Sequence, residues 1–404
     1  MQRIAGKCQT IQKHKGKKAG RKSAREVLLL CTTACLSPRV KERLGQILAN
    51  PLDWKYFVEL AAYQGVIPLV NHNLSVADFS SHIPQPCGNQ LKQAYKYTVY
   101  RNVILTSELA HVVTALRSEG IETICLKGTA LAEVIYGNAC LRPVTDMDIL
   151  IHPEDKARAG SIVAGLGYKR VAGKDNHHPF HEEYHKEAAF TLFLELHWNL
   201  DNKQLVAFPE EQLWSRAQPL ELSGTACWML SPEDNLMFLA NHLHKHNSHQ
   251  LKLLCDIAEL LKKYEGKLDW DYITISAQSW QIKPAAYLAL KRAQELLGAP
   301  VPAGPHVRLR PSFWRRFLLE LFTGQESFIS QSAETKLSSE TSALAHGLMM
   351  KGSHEMTTVL TRYRGPWKRV RWLRTVFWTT VVVAAGLGRC LTRIAAKHDF
   401  IASN

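Results

Sequence analysis

"LRPVTDMDILIHPED", residues 141–155, sets Asp146 and Asp148 one residue apart in a run that otherwise has the apolar content of a buried strand. Two carboxylates held close together repel each other and lose hydration. A divalent cation compensates both costs. On a strand, residues i and i+2 point the same way, so the aspartates share a face while Met147, Ile149 and Ile151 take the other. Mg²⁺ suits such a pair, because it prefers a few carboxylate oxygens completed by phosphate.

The neighbouring segments extend the pattern in both directions. Upstream, "IETICLK" (121–127) reads as a strand, Gly128 as a tight turn and "TALAEVIYG" (129–137) as a helix. A glycine turn feeding a helix N-terminus aims backbone N–H groups at an anion, and Lys127 and the Thr129 hydroxyl would add to it. Lys127 reads equally well as a solvated lysine. Downstream, "PEDKARAGSIVAGLG" (153–167) is helical, and "AAFTLFLELHWNL" (188–200) is a long apolar strand. Glu195 lies inside that strand, where an uncompensated charge is costly, and is the candidate third carboxylate. His197, two residues on, shares its face and fits a supporting role beside the ion. The order strand–helix–strand–helix–strand predicts an α/β (α+β) fold, a small mixed sheet embedded in helical segments.

Apolar spacing is helical from Glu26 to Leu74, with Asp53 as an N-cap, and again from about Gln90 to Ser118 on a face of Val103, Leu105, Leu109, Val112 and Leu116. Pro84, Pro86 and Gly88 separate these runs. Helical spacing returns over 232–300 with Ser231 as N-cap, and 325–355 is Ser/Thr/Gly-rich and loop-like. The expected organisation is a basic tail over 1–25, a helical region over 26–118, the α/β core over 119–230 and helices packing on it over 231–300. A variable 301–365 and a basic, aromatic helix over 366–404 complete it.

The chain has 404 residues, 46% hydrophobic and 21% charged, which suits a globular protein of more than one domain. Its net charge of +14 sits at the ends: +9 in residues 1–25 and +8 in residues 351–404, leaving about −3 between them. A near-neutral core argues against nucleic acid as a partner. Nine cysteines without a CxxC pair predict a reduced, cytoplasmic protein. Val376–Gly388 is too short to span a bilayer, which takes roughly 20 residues. Trp367, Trp372 and Trp378 with Lys368, Arg369 and Arg371 suit an interfacial helix on an anionic membrane surface, or a terminal helix packed on the protein.

Other candidates carry alternatives. His177, His178, His181 and His185 crowd what reads as a loop; their spacing fits no tetrahedral zinc site, and they read as polar surface or, for His177 and His178, as contacts to nucleotide or acceptor. His242 and His246 share a helix face and, with Asp256, fit a hydrogen-bonded helix–helix contact better than a metal site. Arg142 precedes the paired aspartates and reads as a triphosphate contact or a solvated arginine.

With these residues in place the chain resembles the nucleotidyltransferase superfamily that includes DNA polymerase beta, whose pattern is a glycine turn, Asp-x-Asp and a distant third carboxylate. More closely, it resembles a bacterial family of nucleotidyltransferase-like proteins found among cell-envelope polysaccharide and peptide biosynthesis proteins. "LKGTALAEVIYG", "LRPVTDMDILI", "LELHWNL", "HLHKH" and "LCDIAELL" carry that resemblance over roughly residues 26–300. It implies that Asp146, Asp148 and Glu195 bind Mg²⁺ or Mn²⁺, with Glu195 as ligand or base. It further implies that Gly128 and Thr129 meet the nucleotide phosphates, with Lys127 and Arg142 nearby. The implied reaction moves a nucleotidyl group from a nucleoside triphosphate to an unidentified acceptor hydroxyl or phosphate. The alternative is a non-catalytic nucleotide-binding or accessory protein docked at the inner membrane surface. The sequence departs from the superfamily in having Thr129 in place of serine and a longer gap before Asp146, with room for an extra turn around Tyr136–Arg142.

Overall fold

The computed structural model describes residues 19–171, 179–201, 206, 208–245, 250–313 and 315–316. Helical spacing in the first third yields α1 over residues 19–30, α2 (Pro38–Leu48), α3 (Trp54–Tyr63), α4 (Ile67–Val76) and α5 (Gln85–Ser118). Residues 19–25, expected in the basic tail, are therefore already helical. Asp53 caps α3 as expected, accepting from the Tyr56 N–H at 3.1 Å. Pro84, Pro86 and Gly88 do not delay α5: Pro86 occupies the first turn, where its missing N–H costs nothing.

The middle of the chain builds β1 (Ile124–Leu126), α6 (Gly128–Val134), β2 (Met147–Leu150), α7 (Lys156–Gly165), β3 (Lys169–Arg170), β4 (His181–Glu187) and β5 (Thr191–His197). Then come α8 (Glu210–Arg216), β6 (Gln218–Leu222) and β7 (Thr225–Met229), followed by α9 (Pro232–Lys245), α10 (Leu251–Lys263), α11 (Trp270–Ser279), α12 (Lys283–Leu297) and α13 (Ala303–Leu309). The strands form one seven-stranded mixed sheet in the order β3-β4-β5-β2-β1-β7-β6. Pairs β2/β5 and β1/β7 are parallel, and the others are antiparallel.

Alternation along the strands gives the sheet two unlike faces. Met147, Ile149, Leu194 and Leu196 point into the core, where Leu105, Leu109, Val112 and Leu116 of α5 and Val163 of α7 cover them. Each such fully buried aliphatic contributes about 1.5–3 kcal/mol. Val103, expected on that face, is 63% exposed. The opposite face carries Asp148, Glu195 and His197, and with α9 and α10 encloses a cavity of about 470 Å³.

Two strand pairs differ from the sequence reading. Histidines 181 and 185 do not lie in a loop but on β4, whose polar string "HEEYHKE" lacks the apolar residues that mark a strand. The β6–β7 hairpin turns through Ser223 and Gly224, both at positive φ as a two-residue hairpin turn requires. Among the described residues no helix is long and apolar enough to cross a membrane. The C-terminal stretch 366–404, the loop-like 325–355 and residues 1–18 of the tail lie outside the described residues.

Candidate active site

Sheet register brings together two of the three carboxylates named in the sequence, Asp148 and Glu195. β2 and β5 pair with Asp148 opposite Glu195, and β1 pairs with β2 so that Leu126 stands opposite Asp148. Lys127, the next residue, arrives beside them and donates from Nζ to Asp148 Oδ1 at 2.8 Å. It does so from φ +38°, ψ −137°, a conformation that costs a non-glycine residue about 1–3 kcal/mol. His197 Nε2 lies 3.3 Å from Asp148 Oδ1 and 3.0 Å from Glu195 Oε2.

Lys127, Glu195 and His197 each find their charged form favoured by neighbours. Burial acts to raise the Glu195 pKa, but the His197 contact and the Lys127 charge outweigh it and bring the carboxyl down to about 2. Burial works against the Lys127 ammonium, yet Asp148, Glu195 and Asp146 together keep its pKa above the ordinary lysine value. For His197 burial is again the opposing cause, and bonds to Asp148 and Glu195 raise the imidazole.

Asp146 stands just before β2, half-buried; its Oδ1 accepts from the Thr145 hydroxyl at 2.9 Å, and it lines the same cavity. Asp148 is 1% exposed, and its Oδ2 is buried with no hydrogen-bond partner. A buried carboxylate oxygen without a donor is expensive. Ligand atoms of Asp148, Glu195 and His197 lie within 4.8 Å of one another, so this donor set fits a divalent ion that would satisfy the orphaned oxygen.

Gly128 opens α6 at φ +32°, and a Cβ there would come within 3.3 Å of both the Asp146 carbonyl oxygen and Val144 Cγ1. Gly128→Ala is therefore expected to lower stability by about 1–3 kcal/mol through backbone strain and crowding. An unchanged thermal melt would show that the turn accommodates a side chain. Thr129 behind it is buried.

Arg142, a candidate triphosphate contact by sequence, lines the same cavity but is buried and commits its guanidinium to an ion pair. Its guanidinium forks onto Asp256 of α10, Nε to Oδ1 and Nη2 to Oδ2, both at 2.8 Å. The Tyr136 hydroxyl donates to Asp256 Oδ1 at 2.8 Å. Asn102 of α5 holds the same segment by donating to the Ala139 and Arg142 carbonyls at 2.6 and 2.7 Å. The long gap between Thr129 and Asp146 is thus the rest of α6 followed by a loop tied to α5 and α10. Asp256 serves Arg142 and Tyr136, while His242, half-buried, lines the cavity. His177, His178 and His246 lie outside the described residues.

Sequence reasoning missed several cavity residues. His181 and Glu183 reach it from β4, and Phe238 of α9 places its ring 5.7 Å from Lys127 Nζ. Lys252 of α10 lines the opposite wall, its pKa lowered first by burial and then by Arg142. For β4 the alternation of His181, Glu183 and His185 was the available signal. Nothing local marks Lys252.

No curated protein matches the chain. Among solved structures, an antigenic nucleotidyltransferase-like protein from Paracoccidioides brasiliensis shares 14% identity over 46% of this chain and 92% of that chain, with a TM-score of 0.31. The lincomycin-bound lincosamide antibiotic adenylyltransferase LnuA shares 19% identity over 38% of this chain and 94% of that one, TM-score 0.29. The antibiotic-resistance factor ANT(2'')-Ia shares 13% over 46% and 94%, TM-score 0.31. A family model described as "uncharacterised nucleotidyltransferase" matches residues 50–298, more than half of the chain, and the protein belongs to that family.

Proposed function

We propose that the protein transfers a nucleotidyl group from a nucleoside triphosphate to an acceptor hydroxyl or phosphate oxygen, with Mg²⁺ or Mn²⁺ as the ion. The observation that carries this reading is the Asp148–Glu195 register pair, with Lys127 bonded to it and Asp148 Oδ2 buried without a partner. Asp148 and Glu195, with Asp146 lining the same cavity, would hold the ion, which when bound neutralises phosphate charge and makes the phosphorus more electrophilic.

The protein's own groups supply placement. Gly128, Lys127 and Lys252 line the cavity, and the two lysines would bring positive charge to the phosphates. Glu195, whose carboxyl is held low by the His197 contact and the Lys127 charge, would serve as an ion ligand or as the base toward the acceptor. His197 fixes the orientation of both carboxylates it touches. Arg142 acts at one remove, tying the loop that ends in Asp146 to α10.

Calorimetric titration of ATP, GTP, CTP and UTP, each in Mg²⁺ and in excess chelator, tests the reading. Binding of at least one nucleotide is expected in Mg²⁺ and not in chelator. No binding to any of the four in Mg²⁺ would sink the transferase.

A further inference from the structure

We propose a divalent-cation site outside the cavity, formed by His152, Glu154 and Glu210 and suited to a borderline ion such as Zn²⁺ or Co²⁺. An ion there would clip the exit of β2 to the start of α8. The site stands apart from the nucleotidyl-transfer reading, because none of its three residues lines the cavity.

Two segments converge to build it. β2 ends at Leu150, and His152 leads into a short 3₁₀ turn, Pro153–Asp155, closed by the Asp155 N–H donating to the His152 carbonyl at 3.0 Å. That turn carries Glu154. Glu210 opens α8, and Trp214 stands one turn further along the same helix face. Both reach the same imidazole. Trp214 stacks on it with 4.0 Å between centroids and 19° between planes, and Glu210 Oε1 lies 3.6 Å from His152 Nδ1. The stack restrains rotation of the ring and so fixes where its nitrogens point.

Ligand atoms of His152, Glu154 and Glu210 lie within 4.8 Å of one another. The 3.6 Å between Nδ1 and Oε1 is too long for a hydrogen bond. It is close to the roughly 3.3 Å that separates neighbouring ligands of a tetrahedral ion with bonds near 2.0 Å. Among the described residues, neither the His152 ring nitrogens nor the Glu154 carboxylate makes a hydrogen bond. His152 and Glu210 are half-buried, at 30% and 24% side-chain exposure, while Glu154 is exposed and leaves the site open to ions from solvent.

Ligand type selects the ion. One imidazole nitrogen with two carboxylates suits Zn²⁺, Co²⁺ or Mn²⁺ and suits Mg²⁺ poorly. Three protein ligands leave a position for water. At the usual rise along a strand His152 is on the order of 13 Å from Asp148, so this site shares no ligand with the paired carboxylates of the cavity. The sequence gave no sign of it, because the third ligand comes from a distant helix.

The test is a titration of Co²⁺, a paramagnetic stand-in for Zn²⁺, into full-length protein labelled with 5-fluorotryptophan. The chain has ten tryptophans, so the Trp214 fluorine signal is assigned by its loss in Trp214→Phe. Co²⁺ is expected to shift that signal saturably, Zn²⁺ to reverse the shift, and Asp148→Asn to leave it intact. Glu154→Gln is the principal variant, because the residue is exposed and the change keeps its shape. It should weaken the Co²⁺ affinity read at Trp214 by at least ~10-fold, as should His152→Gln and Glu210→Gln, with thermal melting as the folding control. Zn²⁺ should also raise the melting temperature of the wild type more than that of Glu154→Gln. Absence of a saturable shift at Trp214 in the wild type would overturn the site, and so would equal affinity in the wild type and Glu154→Gln. A shift that survives Glu154→Gln but vanishes in Asp148→Asn would assign the ion to the cavity and remove this site.

Discussion

Asp148→Asn is expected to cut Mg²⁺-dependent nucleotide affinity by on the order of 10²-fold, about 3 kcal/mol, while Asp146→Asn costs only ~10-fold. The two aspartates look equivalent as a motif, but their surroundings differ. Asp148 is fully buried, receives Lys127 at 2.8 Å and His197 at 3.3 Å, and keeps one oxygen without a partner. An amide in its place would leave Lys127 facing a neutral group, and it would bring an N–H₂ donor to a site built for cations. Asp146 is half-buried, and the adjacent Thr145 hydroxyl already satisfies one of its oxygens. Calorimetry on both variants, with melting curves to confirm folding, decides the matter. Equal losses, or a larger loss at Asp146, would mean that the burial-based ranking is wrong.

Asp256→Ala is expected to be the most destabilising change around the loop before β2, at about 3–5 kcal/mol. Both partners are buried, Arg142 at 5% and Asp256 at 0% side-chain exposure, so removing the carboxylate strands a guanidinium in a low-dielectric interior. Burial disfavours the Arg142 charge, and Asp256 more than restores it. The Tyr136 hydroxyl loses its acceptor in the same step. For a folded region of this size the melting temperature should fall by roughly 10 °C. Arg142→Met with Asp256→Leu should recover much of that loss, because both charges leave the interior together. A single variant melting within about 2 °C of the wild type would show that the pair contributes little. Nucleotide binding should also weaken in Asp256→Ala, since Arg142 Nη1 lies 3.5 Å from the Gly128 carbonyl and its loop leads to Asp146.

What was legible in the sequence had local causes. Period-two alternation placed Glu195 and His197 on one face of their strand, and the glycine after Lys127 marked the turn between β1 and α6. Asp53 and Ser231 were readable as helix caps because capping needs only a side-chain oxygen and the next few N–H groups; Ser231 Oγ does accept from the Asp234 N–H at 3.2 Å. The readings that failed locally failed for a shared reason. β4 is polar on both faces: its Glu182 accepts from the Tyr184 hydroxyl at 2.8 Å and from Arg170 at 2.7 Å, while His181 and Glu183 face the cavity. A strand stabilised by polar partners and backbone pairing carries no hydrophobic pattern to read.

The sequence by itself indicated the run β1–α6–β2–α7, the strand β5 and the glycine turn, because each depends on residues within one or two turns of chain. Tertiary structure alone decided what those groups meet. Arg142 finds Asp256 across 114 positions and Tyr136 finds it across 120, so which residue neutralises which is settled by helix packing. Glu195 faces Asp148 on one side and Glu183 on the other because β5 is flanked by β2 and β4, and sheet order is a property of the whole core. Lys252 reaches the cavity only because α10 packs over that face, and a lysine on a helix carries no mark of where the helix will dock.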